Sequence, residues 1–400
     1  MDSNSRDGYV ALQQAVRCPP VVNDSMKTKN NIMDSFFKAI AFCLNDEGQS
    51  ASVFEGLNWK LFFRFCKRHT IDGVVFAGLK RYSERTGEKL PIDVDTLTDW
   101  YAAAEGIKRR NAQTDRRACE AMKYFTDNGF KCCILKGQGN AQMYDDPESR
   151  SPGDVDVWLD GTKKEIVDFV HTVFPTMNVQ YHHMDFHLFE DINVEVHYKP
   201  SYCYNKWHNH YQQDFYKRHA EEVFSNRVLL PSCGESICAP TKLFNLIFML
   251  SHTMRHFFTQ GVGVRHAVDY YYLLNQDFTD DEKREFVKEL RRCGMYKFFC
   301  ALMWIETEKL GLKKNTDIAP ANESAGKLLL HEMLKGGDMG HYYTHNVYKR
   351  PIVLFSSQML YNLRYIMEFP SEPLSRPFTL VWDYIRKHIV ERRLWMDYKM

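Results

Sequence analysis

From Asp34 onward, apolar residues recur at the spacing of an α-helix. In DSFFKAIAFCL, Phe36, Phe37, Ile40, Ala41 and Leu44 fall on one face. Residues 1–30 are polar and broken by Pro19-Pro20, and read as a flexible N-terminus. NWKLFFRF continues the helical period, with Asn58 placed as an N-cap. Residues 95–127 read as one long helix with a very polar exposed face, stopped at Asn128-Gly129.

The period then changes. KCCIL (131–135) is a short strand of the buried type. DVDVWLD (154–160) alternates strictly, and Gly161-Thr162 opens a helix running to about Phe174. MDFHLFEDINVEVHYKP reads as two strands around Glu190-Asp191, a hairpin. LFNLIFMLSHTMRHFF and the three apolar segments after it restore the helical period to about residue 311. YIRKHIVERRLW, near the end, predicts a basic amphipathic helix. The expected organisation is α+β: a flexible N-terminus (1–30), an N-terminal helical region (31–129), an α/β core (130–232) and a C-terminal helical region (233–400).

Four hundred residues exceed what one core usually organises, so two or three packed units are expected. With 44% hydrophobic and 26% charged residues the chain is no disordered polymer. The 52 basic residues against 51 acidic ones leave a net charge of +1, which is no footprint for a general DNA or membrane binder. The longest apolar run, about Leu246–Leu250, is far short of the roughly 20 residues that span a bilayer. No secretory signal is visible at MDSNSRDGYV. Eleven cysteines include no CxxC pair, and Cys132 and Cys133 sit in a strand-like run, as reduced, buried thiols do. The chain reads as cytoplasmic.

Chemistry concentrates in ILKGQGNAQMYDDPESRSPGDVDVWLD and the later NVEVHY. Strand alternation points Asp154 and Asp156 to one side while Val155 and Val157 face a core. Glu195, between Val194 and Val196, repeats the arrangement on another strand. Three converging carboxylates repel unless cations lie between them, and hard oxygen donors suit Mg²⁺ or Mn²⁺ rather than zinc. Such a site can hold two ions roughly 3.5–4 Å apart that clamp the two ends of a phosphoryl displacement. Upstream, Leu135-Lys136-Gly137-Gln138-Gly139 ends a strand and opens a short helix. Its glycines let backbone N–H groups approach a polyphosphate, and Lys136 adds a point charge.

A strand with a glycine motif, Asp-x-Asp on a strand and a third carboxylate on a later strand together resemble the DNA polymerase β-like nucleotidyltransferase superfamily. More closely, LKG…Y…P…R…DVDVWL…VEVHY is similar to an uncharacterised bacterial nucleotidyltransferase family with an LKG–R–DxD–ExH pattern, over residues 131–200 and more loosely to about 275. The resemblance implies a small mixed sheet flanked by helices and Mg²⁺-dependent transfer of an NMP from an NTP such as ATP, with pyrophosphate released. It also implies that Asp154 and Asp156 ligate metal and that Glu195 is the third carboxylate, orienting or deprotonating an acceptor hydroxyl. Lys136 and Gly137 would contact the triphosphate, with Gln138, Arg150 and His197 completing the nucleotide site. The superfamily usually carries Gly-Gly or Gly-Ser where this chain has Gly137-Gln138, and the stretch from there to Asp154 is longer than is common. A small molecule, a protein or an RNA are all open as acceptor. Two other readings stand beside this one: a catalytically inactive nucleotide-sensing or partner-binding protein on the same fold, and a helical protein whose DVDV is structural.

Other constellations carry alternatives. Arg150 either contacts phosphate or locks its loop through a salt bridge. His197 either touches substrate or orients Glu195. His182, His183 and His187 invite a zinc reading, with His183 and His187 on one strand face, but no Cys or acidic partner is spaced to complete a tetrahedron. His252 and His256, with Arg265 and Asp269 on the next helix, form a polar network between helices or line the nucleotide or acceptor pocket. Arg386, Lys387, Arg392 and Arg393 form a solvated face or guide a polyanion such as tRNA.

Overall fold

A computed structural model describes residues 24–45, 50–337 and 359–385. Helix α1 (Asp24–Leu44) begins earlier than Asp34, so the polar lead-in is helical before its apolar face starts. Phe36, Phe37, Ile40 and Leu44 are buried as the spacing requires, and Phe36 packs on Phe62 of α2 (Trp59–Arg68), ring centroids 5.1 Å apart. The Asn58 side chain accepts from the Leu61 N–H and caps α2. Helix α3 (Asp72–Thr86) follows. At Gly73 a Cβ would collide with the Ser149 carbonyl oxygen, so glycine lets α3 press against the loop that precedes the Asp-x-Asp strand. Helix α4 (Val94–Asp127) is capped by Asp93, whose side chain accepts from Thr96 N–H.

The sheet is mixed. Strands β1 (Cys132–Ile134), β2 (Val155–Leu159), β3 (His183–Phe186) and β4 (Val194–His197) lie in the order β1-β2-β4-β3. Only β2 and β4 are parallel, and the β3–β4 hairpin forms around 190–191 as its pattern predicts. Between β1 and β2 lies the short helix α5 (Gln138–Ala141). After β2 comes α6 (Lys163–Val173), opened by a capping box of Thr162 and Glu165.

Alternation sorts the side chains of β2 to two faces. Val155, Val157 and Leu159 join Val194 and Val196 in a core closed by Ala118, Ala121 and Phe125 of α4 and by Ile166 and Val170 of α6. Asp156 and Trp158 point the other way. Trp158 stacks on Phe244 of α9 (Lys242–Thr259), centroids 5.6 Å apart, which brings the C-terminal helices onto the face that carries the acids. Helices α7 (Lys206–Arg218) and α8 (Ala220–Ser225) precede the β5–β6 hairpin (Arg227–Leu230, Glu235–Cys238). This hairpin straddles residue 232 and places Leu230 and Ile237 in the sheet's core. Beyond α9 run α10 (Val264–Leu274), α11 (Asp280–Arg292), α12 (Tyr296–Glu308), α13 (Glu323–Gly336) and α14 (Ser371–Ile385). Among the described residues no helix is long and apolar enough to cross a membrane. Arg386, Lys387, Arg392 and Arg393 lie outside the described residues.

Candidate active site

Parallel pairing of β2 with β4 sets Asp156 directly beside Glu195 and Trp158 beside His197. Asp156 is buried at 1% exposure. Asp154, just ahead of the strand, keeps 36% of its side chain exposed, and Glu195 is half-buried. Lys136 leans into this group from the end of β1, with Nζ 3.6 Å from Asp154 Oδ1 and 3.1 Å from Asp156 Oδ2. His197 Nε2 is 2.9 Å from Asp156 Oδ1 and 3.5 Å from Glu195 Oε2. Burial works against charge on Lys136, but Asp154, Asp156 and Glu195 outweigh it and hold the ammonium above the ordinary lysine range. Burial likewise opposes ionisation of Asp156, and Lys136 and His197 overcome it, keeping the carboxyl below its usual range. For His197, burial would lower the value, yet hydrogen bonds to Asp156 and Glu195 lift it to about 8.

These residues fit a hard divalent cation. Asp156 Oδ2 is buried and receives no hydrogen bond, its counter-charge being the Lys136 ammonium. Asp156, Glu195 and His197 offer ligand atoms within 4.8 Å of one another. Two of the three donors are carboxylate oxygens, as Mg²⁺ or Mn²⁺ requires.

Beside the carboxylates opens a cleft of about 480 Å³ that Asp154, Lys136 and Gly137 line. Gly137 has φ 73° and ψ −107°, a backbone region that side chains avoid, and this turn carries the chain from β1 into α5 along the cleft wall. Lys67, Arg110, Lys136, Arg150 and Arg265 contribute five cations to the lining, against three acids, Asp72, Asp154 and Asp269. Arg150 is held by Asp269 of α10 through two bonds, Nε to Oδ1 at 2.6 Å and Nη2 to Oδ2 at 2.9 Å. The Tyr144 hydroxyl donates to the same Oδ1 at 2.6 Å. Burial would raise Asp269, but Arg150 beside it brings the carboxyl down to about 2. Arg150 Nη1 is left without a hydrogen-bond partner in the cleft wall.

A family model described as "uncharacterised nucleotidyltransferase" matches residues 55–311. The chain belongs to that family. The match takes in the helices that wall the cleft, the whole sheet, and Lys136, Arg150, Asp154, Asp156, Glu195, His197 and Asp269 alike. No curated protein and no solved structure matches the chain. As a nucleotidyltransferase it is placed among the transferases of phosphorus-containing groups, and membership of this family implies an NTP as substrate.

Within this nucleotidyltransferase not every residue of the motif meets the cleft. The Gln138 side chain turns into the scaffold and donates to Asp115 of α4. His197 is not among the residues lining the cleft, and its Nε2 faces Asp156 and Glu195. Arg150 locks its loop, and the partner is Asp269, which the i,i+4 spacing had paired with Arg265. Arg265 does approach Asp269, at 4.0 Å. The polar face of the long helix is not all exposed. Asn111, Thr114 and Asp115 are buried, and Asn111 Nδ2 donates to the carbonyls of Glu148 and Arg150, both at 2.7 Å. Asn111 and Asp115 sit at i,i+4 on α4 and so share one face of the helix, which the sequence alone does not mark as buried. The rings of His252 and His256 lie with centroids 4.3 Å apart and planes tilted by 53°, and both come within 6.4 Å of His266 on α10. They do bridge two helices, and His252, His266, Arg265 and Asp269 also line the cleft.

The histidines give the fold a two-sided pH dependence. His197 titrates near 8 when folded and near 6.5 when unfolded. Its contribution, about 2 kcal/mol for a shift of that size, is complete below pH 6.5 and is lost as pH rises through 8. His182, His252 and His256 act in the opposite sense. Burial holds each well below 6.5, so the unfolded chain takes up protons first and stability falls as pH drops below 6.5. Urea unfolding followed across this range is expected to show its maximum near ~6.5–7, with the alkaline limb flattened in His197→Gln. An alkaline limb unchanged in that variant would contradict the pairing with Asp156.

Proposed function

We propose that this nucleotidyltransferase moves an NMP from an NTP to an acceptor hydroxyl, with release of pyrophosphate. The observation that carries this reading is that Lys136, which lines the cation-rich cleft together with Asp154, ties Asp154 to the Asp156–Glu195–His197 group, with Nζ 3.6 Å from Asp154 and 3.1 Å from Asp156. Asp154 and Asp156 hold Mg²⁺, or Mn²⁺ in its place, with Glu195 as third carboxylate. The bound ions supply charge neutralisation at the phosphoryl group and align the attacking and leaving oxygens.

The chain's own residues do the rest by position and electrostatics. Lys136 has a flexible stem and exchanges its contact with the carboxylates for one with the triphosphate. Arg150, two of its nitrogens fixed by Asp269, presents Nη1 to the phosphates already oriented. Glu195 accepts the proton of the acceptor hydroxyl as that oxygen attacks the α-phosphorus and the bond to the bridging oxygen of the leaving pyrophosphate breaks. His197 keeps Asp156 and Glu195 in place. The acceptor, a small molecule, a protein or an RNA, is selected by the helical walls of the cleft, because this class of core changes acceptor through its flanking elements.

Calorimetric titration of each of the four NTPs, with and without Mg²⁺, into wild type and Asp154→Asn tests the assignment. Metal-dependent binding that weakens by about tenfold or more in the variant is expected, the scale on which metal sites respond even to outer-shell changes. Equal affinity in both proteins would remove the nucleotide from this site. Metal-dependent binding without pyrophosphate release, whatever the acceptor, would instead favour a nucleotide sensor.

A further inference from the structure

In an unbroken strand His182 and His183 would point to opposite faces. A bend at residues 181–182, just ahead of β3, brings them to the same side. His183 Nδ1 lies 3.3 and 3.1 Å from the Nδ1 and Nε2 atoms of His182. The β3–β4 register then sets His197 opposite His183, and its ring centroid is 5.2 Å from that of His183 and 5.3 Å from that of His182. All three imidazoles are buried, and one nitrogen from each lies within 4.8 Å of the others. The backbone is pinned around them, since the N–H groups of Tyr198 and Lys199 donate to the His182 carbonyl at 3.1 and 3.3 Å. Glu195 borders the group, with Oε2 3.5 Å from His183 Nε2. His187, paired with His183 by sequence spacing, lies past the end of β3 and is exposed.

We infer that His182, His183 and His197 form a seat for a borderline transition-metal ion such as Zn²⁺, separate in its donor chemistry from the oxygen site for Mg²⁺. Three imidazoles suit Zn²⁺, Co²⁺ and Ni²⁺ and are poor donors for Mg²⁺. Three histidines with one further ligand make a complete tetrahedral set, and the fourth position falls to Glu195 or a water. An ion here gives the facing nitrogens of His182 and His183, 3.1 Å apart, a shared partner, and takes the place of a proton on His197, whose Nε2 and Nδ1 contact Asp156 and the Lys199 carbonyl. His197 Nε2 is already engaged by Asp156 at 2.9 Å, the arrangement in which a carboxylate orients a ligating imidazole. The seat is thereby coupled through one ring to the acid pair of the candidate active site, yet it does not depend on nucleotidyl transfer being the reaction.

The test uses the full chain, stripped with a chelator and titrated with Co²⁺, read by visible absorption. Wild type is expected to develop the intense d–d bands of low-coordinate Co²⁺, and equimolar Zn²⁺ should abolish them while excess Mg²⁺ does not. His182→Gln, at a residue with no part in the nucleotide site, should weaken Co²⁺ binding by at least about tenfold. Zn²⁺ should raise the melting temperature of wild type and leave that of the variant unmoved, which also reports that the variant is folded. His182→Cys should restore binding and add a thiolate-to-cobalt charge-transfer band. Wild type without d–d bands under excess Co²⁺, or His182→Gln binding as tightly as wild type, would overturn the inference. Mg²⁺–NTP binding is read separately through Asp154→Asn, so either reading can fail while the other stands.

Discussion

Asp154→Asn is expected to slow nucleotidyl transfer roughly a thousandfold while leaving the fold intact. The side chain lies 36% exposed at the cleft, and its ion-pair partner Lys136 keeps Asp156 at 3.1 Å when the charge at 154 is gone. A site that assembles cations around a polyphosphate loses most of its rate with one carboxylate ligand, because the amide that replaces it carries no charge. Sequence alone predicts the same outcome for Asp156→Ala, an inactive but folded protein. The structure revises that expectation. Asp156 is 1% exposed and is the nearest counter-charge of both Lys136 and the imidazolium of His197, so its removal leaves the buried His197 with Glu195 alone and the half-buried Lys136 with Asp154 alone. A loss of about 3–5 kcal/mol is expected for breaking a buried pair in this way. Pyrophosphate release and urea unfolding, measured on both variants, check the two statements together. Full turnover by Asp154→Asn would remove the metal assignment, and wild-type stability in Asp156→Ala would remove the electrostatic one.

The second large effect belongs to the tie between the core and the C-terminal helices. Asp269→Ala takes away the partner of Arg150's Nε and Nη2 and of the Tyr144 hydroxyl. The arginine is 5% exposed, and the guanidinium left behind loses the carboxylate that offsets its burial. Destabilisation of about 3–5 kcal/mol is expected, with the loop that delivers Asp154 loosened at the same time. Replacing both members, as Arg150→Met with Asp269→Leu, should recover much of that stability, since apolar pairs often substitute for buried ion pairs without loss. The double variant should still bind NTP weakly, because Nη1 has gone from the cleft. Chemical denaturation of Arg150→Met, Asp269→Leu and the double variant completes a double-mutant cycle. Strict additivity across the cycle would show that the contact seen between these side chains carries no coupling.

The sequence by itself determined what depends on short range. Period-two alternation in DVDVWLD put the carboxylates on one face and the valines in a core, because consecutive strand residues must point to opposite sides. The helical spacing of Phe36, Phe37, Ile40 and Leu44, the Asn58 cap, the helix start at Thr162 and the hairpin at 190–191 are local in the same sense, as is the turn at Gly137. Long-range pairing belonged to the tertiary structure. Arg150 and Asp269 are 119 positions apart, and nothing in the local pattern of either shows that they will exchange two hydrogen bonds. The buried face of α4 was hidden for a related reason. Asn111 and Asp115 have the residue types of a solvated surface, and they are inside because the site loop and Gln138 bring them donors and carbonyls that replace water. His182 was misplaced by a bend that periodicity does not encode, and His197 reached it through strand register alone. Local alternation decides which way a side chain faces, whereas its partner is decided by which distant segment the cores press against it.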